Sequence, residues 1–467
     1  MIQTTSAERL LDGFEPSFEV AYAKAIPESE FAERIARLRR AAAVAENEVT
    51  LIHADGLTGF QTSNTYLKWL CDWSREGILV VPTDASEGIH LFTFYTESVI
   101  MPPQGEAVGV EEVWQISPFS IEYGGRAGDP IRKTIEATVK RLTELGYTRS
   151  SIGLVGDRLS ADFWRVLADE LPKARFSDRT ETLNDMTKLL SENERDQVRT
   201  AAQLADVAYE AACHVTRPGV TDFEIYAAFT FAQMSRGGET GDGYQIGVNQ
   251  WGTACGKPYG HVVRDGDLLN LYVSNVKYHG YTAQIARMIA IGTITEKQET
   301  TLAMCADAVR RAEAKIRPGV PIHELHDAAF SAYTDRGYLS AEQTETAKMP
   351  YNWESEKDGG ARKVPRQYVP DVDYEASGRR LERVYPATFG PHNPNLGHSV
   401  GNMGGPKFNV TSHNTELLQP GMAMVLHAQW LDPLSDGANI GDMFLVTEGG
   451  YENLSRHTSV DAFRVDA

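Results

Sequence analysis

The chain is poor in cysteine, short of basic residues relative to acidic ones, and without long apolar runs. Its four cysteines, Cys71, Cys213, Cys255 and Cys305, are scattered over 467 residues with no Cys-x-x-Cys pair. That excludes a disulfide-stapled scaffold and the usual cysteine zinc module, and it suits a reducing compartment. Lys and Arg number 45 against 64 Asp and Glu, a formal net charge of −19. Such a surface repels phosphate, so neither nucleic acid nor an anionic membrane is an expected partner. No window approaches the roughly eighteen uninterrupted apolar residues of a membrane span, and the opening MIQTTSAERLLDGFEPSFEV lacks the basic-then-apolar order of a secretory signal. A cytoplasmic protein is the expectation. What the chain does have is length, enough for two or three domains around a large core.

The first part alternates short apolar runs with helical patterns, as an α/β domain does. Strands are predicted at 49–53, 78–82, 90–95 and 151–155, with helices at 129–145 and 162–171 and Gly146 as a helix stop. The stretch 184–193 reads as a hinge leading into a helix that starts near Glu194 and runs toward Val215. The domain boundary is placed there, giving domains 1–185 and 186–467.

The second part repeats itself. Arg217-Pro218-Gly219-Val220, followed by Glu224 and Phe229, returns as Arg317-Pro318-Gly319-Val320, followed by Glu324 and Phe330. Each copy ends one helix and starts another, and each is followed by paired strands that open on a glycine, Gly266 and Gly421. Two α-α-β-β halves around one cleft predict a pseudo-symmetric α/β sandwich whose site draws residues from both halves.

The paired strands of the first half, GDLLNLYVSNVKYHGYTAQIARMIAIG from Gly266 to Gly292, carry the most specific pattern. The segment resembles the "pita-bread" family of prolidase, aminopeptidase P, methionine aminopeptidase and creatinase, whose strands of the form GDLxxxDxGxxxxGYxxDxxR bear the first two ligands of a dinuclear metal site. Val273 and Gln284 stand at those two carboxylate positions. The resemblance continues in Gly397-His398-Ser399-Val400-Gly401, in Pro420-Gly421-Met422 leading to His427, and in Gly441-Asp442 before Leu445-Val446-Thr447-Glu448. Of the family's five ligand positions only His398 is unchanged; His427 and Gly441 replace two glutamates. Valine cannot bind a hard or borderline cation and a neutral amide binds one poorly, so no metal ligand and no cofactor is expected. The imidazoles could alternatively gather a single transition metal.

The resemblance implies a small N-terminal α/β domain, a C-terminal pita-bread domain, and a homodimer acting on a small-molecule substrate. It is closest in character to creatinase, which breaks a carbon–nitrogen bond without metal through a histidine shuttle. The chain departs from creatinase at both substrate carboxylates, where Ala286 and His427 stand, and a guanidinium needs anionic partners. Creatine is therefore not the expected substrate. The catalytic candidates are His261, His398 and His427, because imidazole titrates near working pH. Either His261 or Cys255 occupies the family's substrate-side histidine position. Gln284, Tyr281, Asn275, Cys255 and His392 are expected to line the cleft. Arg287 and Asp442 are expected to join the strand pairs as an ion pair. The long stretch 338–389, which includes Tyr351 and Trp353, is expected to form a lid or a dimer arm presenting aromatic rings to substrate. Three functions follow from these residues: a metal-independent hydrolase of a C–N bond, a lyase that breaks C–C or C–S without water, and a silent peptide- or protein-binding relative.

Overall fold

The computed structural model describes residues 10–54, 65–94, 105–116, 130–156, 161–240, 246–249, 258–337, 395–401, 407–431 and 437–466. They divide into two compact units, one built from 25–188 and the other from 10–24 and the described residues beyond Lys188. The stretch 338–389, with Tyr351 and Trp353, lies outside the described residues, as do Cys255 and His392.

The smaller unit runs α1 (Glu28–Val44), β1 (Val49–Ala54), α2 (Thr65–Cys71), β2 (Gly77–Pro82), β3 (His90–Phe94), β4 (Glu112–Ile116), α3 (Pro130–Glu144), β5 (Ser151–Val155), α4 (Ala161–Glu170), β6 (Arg175–Asp178) and α5 (Thr180–Met186). Its strands pair in the order β4-β3-β2-β1-β5-β6, with β1 antiparallel to β2 and parallel to β5. Leu51, Ile78, Phe92 and Leu154 form one apolar core with Ile135 and Leu142 of α3 and Phe163 and Leu167 of α4. The four strands expected from their apolar runs are present. Strands β4 and β6 are not among them: β4 is largely exposed and reads EVWQI, and β6 is only RFSD, so neither carries an apolar run.

The larger unit begins at a helix start that its sequence encodes twice over. Ser191 Oγ accepts from the Glu194 amide at 3.2 Å, and Glu194 Oε2 accepts from the Ser191 amide at 2.8 Å. This capping box opens α6 (Glu192–Val215). Then follow α7 (Asp222–Met234), β7 (Glu239–Thr240), β8 (Ile246–Val248), β9 (Leu268–Tyr278), β10 (Tyr281–Ile291), α8 (Glu296–Glu313), α9 (His323–Thr334), β11 (Asn395–Ser399), β12 (Asn409–Thr411), β13 (Ala423–Leu431), β14 (Gly437–Thr447), β15 (Gly450–Asn453) and β16 (Phe463–Val465). The main path of the sheet is β12-β11-β13-β14-β10-β9-β7. Strands β9 and β10 form a hairpin in which Tyr278 pairs with Tyr281. His279 and Gly280 between them both have positive φ, 47° and 82°, as a tight two-residue turn of this hand requires.

The sequence echo is a structural one. Gly219 donates to Val263 O at 2.9 Å and Val263 donates back to Val220 O at 2.8 Å; Gly319 donates to Leu418 O at 2.8 Å and Leu418 back to Val320 O at 2.9 Å. Gly266 donates to Ile291 O and Ile291 to Asp267 O, just as Gly421 donates to Val446 O and Val446 to Met422 O. From Ile285 on, a constant shift of 155 residues, Gly266 to Gly421, carries the β9–β10 register onto that of β13–β14, for example Ala286–Tyr272 onto Gly441–His427. Where β10 pairs with β14, the register sets Ala286 against Gly441, which are themselves equivalent positions under that shift. No helix among the described residues is long and apolar enough to cross a membrane.

Candidate functional site

The meeting of the halves generates one cross-strand row: Tyr272 on β9, Ala286 on β10, Gly441 on β14 and His427 on β13. Residues opposite one another in a sheet share a face, so all four look the same way. The two central positions are small of necessity. A Cβ on Gly441 would lie 2.7 Å from Leu426 O and 2.7 Å from His427 Cβ. Over this low floor the two outer rings lean together, Tyr272 and His427 meeting edge to face with centroids 5.7 Å apart.

Two further strands complete the cluster. The register of β10 shifts between Ala283 and Ile285, a bulge centred on Gln284. Such bulges re-aim a side chain, and the Gln284 amide donates to the Tyr272 hydroxyl and to His398 Nε2 at 3.3 Å. His398 arrives on β11, opposite Val425. There the neighbouring Gly397 lies so close to β13 that a Cβ would be 2.0 Å from Val425 O. The His398 and His427 rings are 5.5 Å apart at 66°.

The hydrogen bonds assign both imidazoles. His398 Nδ1 lies 2.9 Å from Ser399 O, an acceptor only, so the proton is on Nδ1 and Nε2 receives the Gln284 amide. His427 Nδ1 receives the Gln429 amide at 3.1 Å, so its proton is on Nε2. That buried Nε2 has no hydrogen-bond partner among the described residues. Burial holds both rings neutral: it lowers the pKa of His398, and with the neighbouring His398 it pushes His427 down to about 3.

The opposite face of the same row is charged. Arg287 and Asp442, the next residues along the two central strands, form the expected ion pair at 2.6 Å, with side chains 0% and 6% exposed. Arg287 also donates to Gly441 O at 2.6 Å and to Thr458 Oγ1 at 3.0 Å, and Thr458 in turn donates to Asp206 of α6 at 2.6 Å. Burial raises Asp206 to about 7, against the pull of Arg287 and Thr458.

The other sequence candidates are held elsewhere or are undescribed. His261 Nε2 is 2.6 Å from Asp267 Oδ2, and Asp267 also accepts from Asn249 and the Arg264 amide. Asp267 precedes Tyr272 by a strand run of about 17 Å, so the structure does not bring His261 into the row. The Tyr281 hydroxyl donates to Glu194 Oε1 at 3.2 Å, which ties β10 to the start of α6. Asn275 lies on β9, with its side chain outside the described residues. Tyr272 and Gln429 are absent from the sequence expectations. Both sit inside apolar strand runs, and only the register reveals them. Among the described residues no group of three or more His, Cys, Asp or Glu side chains is gathered so as to hold a metal ion.

Known proteins share this frame. An uncharacterized hydrolase/peptidase of Sinorhizobium fredii is 26% identical over 218 residues, covering 45% of this chain and 55% of its own length. The putative dipeptidase YkvY of Bacillus subtilis is 29% identical over 207 residues, covering 44% of this chain and 56% of its own. The chain thus spans little more than half the length of these curated relatives. A solved Xaa-Pro dipeptidase from Bacillus anthracis superposes with a TM-score of 0.68 at 19% identity, over 93% of this chain and all of the other, a likeness of fold. The model of metallopeptidase family M24 matches residues 196–448. With more than half of its length inside that match, and with the paired halves and short glycine approaches just described, the chain belongs to metallopeptidase family M24.

Proposed function

We propose that the chain is a hydrolase that has exchanged the family's metal chemistry for neutral histidine acid–base chemistry, cleaving a C–N bond in a small organic compound. The observation that carries this is the row itself. The family's metals need anionic oxygens, and among the described residues the groups gathered at this row are a phenol, an amide and two neutral imidazoles. Gly441 cannot become a ligand without displacing backbone, since its Cβ would meet Leu426 O at 2.7 Å. The residues present do not fit a pair of divalent ions.

In this reading His398 moves the proton. Its unprotonated Nε2, once water displaces the Gln284 amide from it, takes a proton from that water as the water oxygen bonds to the carbonyl carbon. Collapse of the adduct restores the C=O, breaks the C–N bond and returns that proton to the departing nitrogen, so amide and water become acid and amine. The Ser399 carbonyl holds the base in this tautomer, and His427 faces the reacting carbonyl.

The test is release of ammonia or amine from a panel of small uncharged amides and Xaa-Pro dipeptides in metal-free buffer. Turnover of an amide there supports the reading. The names of the relatives favour a second one, a metal-dependent dipeptidase. Cleavage of dipeptides alone, and only after a divalent metal is added, would replace the first reading with the second.

A further inference from the structure

We infer that His427 receives the carbonyl oxygen of an uncharged, amide-type ligand through its Nε2–H, and that Gln429 is the positioning residue that fixes this tautomer. The inference rests on the hydrolase reading for its chemistry but on independent geometry for its site. The Gln429 amide donates to His427 Nδ1 at 3.1 Å, which leaves Nε2 as the protonated nitrogen. His427 is 6% exposed, and its Nε2 is buried with no partner among the described residues. A buried N–H without an acceptor costs roughly 1–3 kcal/mol, and native structures rarely keep one without a use. An acceptor oxygen is what it lacks.

The neighbours narrow the ligand. Among the described residues, the rings that meet His427, Tyr272 and His398, and the Gln284 amide bonded to both carry no formal charge, so none of them offers an ammonium or guanidinium a counter-charge. A carbonyl needs none. His398, protonated on Nδ1 by its bond to Ser399 O, has the opposite polarity: its Nε2 is an acceptor, taken by the Gln284 amide at 3.3 Å. Different partners thus set the two imidazoles in opposite tautomers, and of the two Nε2 atoms only the His427 donor has no partner among the described residues. The ligand class that matches is a neutral amide, lactam or ureide rather than an amino-terminal peptide end.

The test uses the full chain with nitrogen-15 labelled histidine. Its imidazole spectrum is expected to show His427 protonated on Nε2 and His398 on Nδ1. Titration with 2-pyrrolidinone is expected to move the His427 Nε2–H signal, while methylguanidinium at the same concentrations leaves it in place. His427→Phe is expected to bind the lactam about tenfold more weakly, the loss of one good hydrogen bond. His427→Gln, which keeps an N–H donor, is expected to retain more of the affinity than His427→Phe, although phenylalanine preserves the ring packing better. The His398 Nδ1–H signal reports whether each variant is folded. His427 protonated on Nδ1, or a Phe variant that binds as well as wild type, would overturn the proposal. Lactam bound at His427 but no amide ever cleaved would instead remove the hydrolase reading and leave the oxygen-receiving role standing.

Discussion

The two faces of one cross-strand row differ in kind. On one face, Arg287, Asp442, Thr458 and Asp206 form a connected charged network in which Arg287 donates to a carboxylate, a carbonyl and a hydroxyl. On the other, one residue earlier along the central strands, Ala286 and Gly441 leave room for Tyr272 and His427, which carry no charge, and His427 Nε2 has no partner among the described residues. The comparison teaches a division of labour across a single sheet thickness. The charged face joins the two halves, and the neutral face holds the proposed site over the smallness of what lies beneath it.

Breaking the joining face is expected to have the largest effect. Arg287→Ala strands Asp442 without its buried partner, and urea unfolding is expected to show a loss of about 3–5 kcal/mol. The double variant Arg287→Met, Asp442→Leu is expected to be more stable than Arg287→Ala, because no uncompensated charge remains. Equal losses would mean that the pair does not hold the halves together. On the acting face, His398→Gln is expected to lower kcat on an amide substrate by ~10²- to 10⁴-fold while leaving the unfolding midpoint nearly unchanged. An equal fall in stability would reassign His398 to the scaffold. Smaller again, Gly441→Ala puts a Cβ against backbone and is expected to cost about 1–3 kcal/mol and to part the Tyr272 and His427 rings. A crystal structure of that variant with the rings still in contact would refute the account of the floor.

The gentlest probe is pH, and the faces are expected to respond with opposite sign. His427 is lowered from 6.5 to about 3, so the unfolded chain takes up its proton first; stability present above pH 6.5 is lost as pH falls toward 3. Asp206 is raised from 3.8 to about 7, so its contribution is full below pH 3.8 and is lost as pH rises toward 7. Asp206→Asn is accordingly expected to compare better with wild type at pH 8 than at pH 5 in denaturant titrations.

Much of the frame was legible before any coordinates. Apolar runs marked four strands of the small unit, the repeated Arg-Pro-Gly-Val marked the two halves, and Arg287 and Asp442 could be paired from their place beside the pattern's key positions. The cluster itself was only half visible. Histidines stand out in a sequence because their chemistry is scarce, so His398 and His427 were found. Tyr272 was not, because a tyrosine within LLNLYV reads as ordinary strand packing. Its role depends on a register that puts it opposite Ala286 and on a bulge that turns Gln284 onto it. Gln429 was missed for the same reason, two residues past His427 in the run AMVLHAQWL. His261 was singled out by order along the chain, whereas its bond is to Asp267, the residue before β9 and five before Tyr272.

The most direct measurement is metal content against activity. The purified full chain would be analysed for bound transition metals by mass spectrometry, then assayed on a cleavable amide before and after exhaustive chelation. The account predicts substoichiometric metal and an unchanged rate after chelation. Two equivalents of tightly bound metal, with activity lost on chelation and restored by adding the metal back, would contradict it.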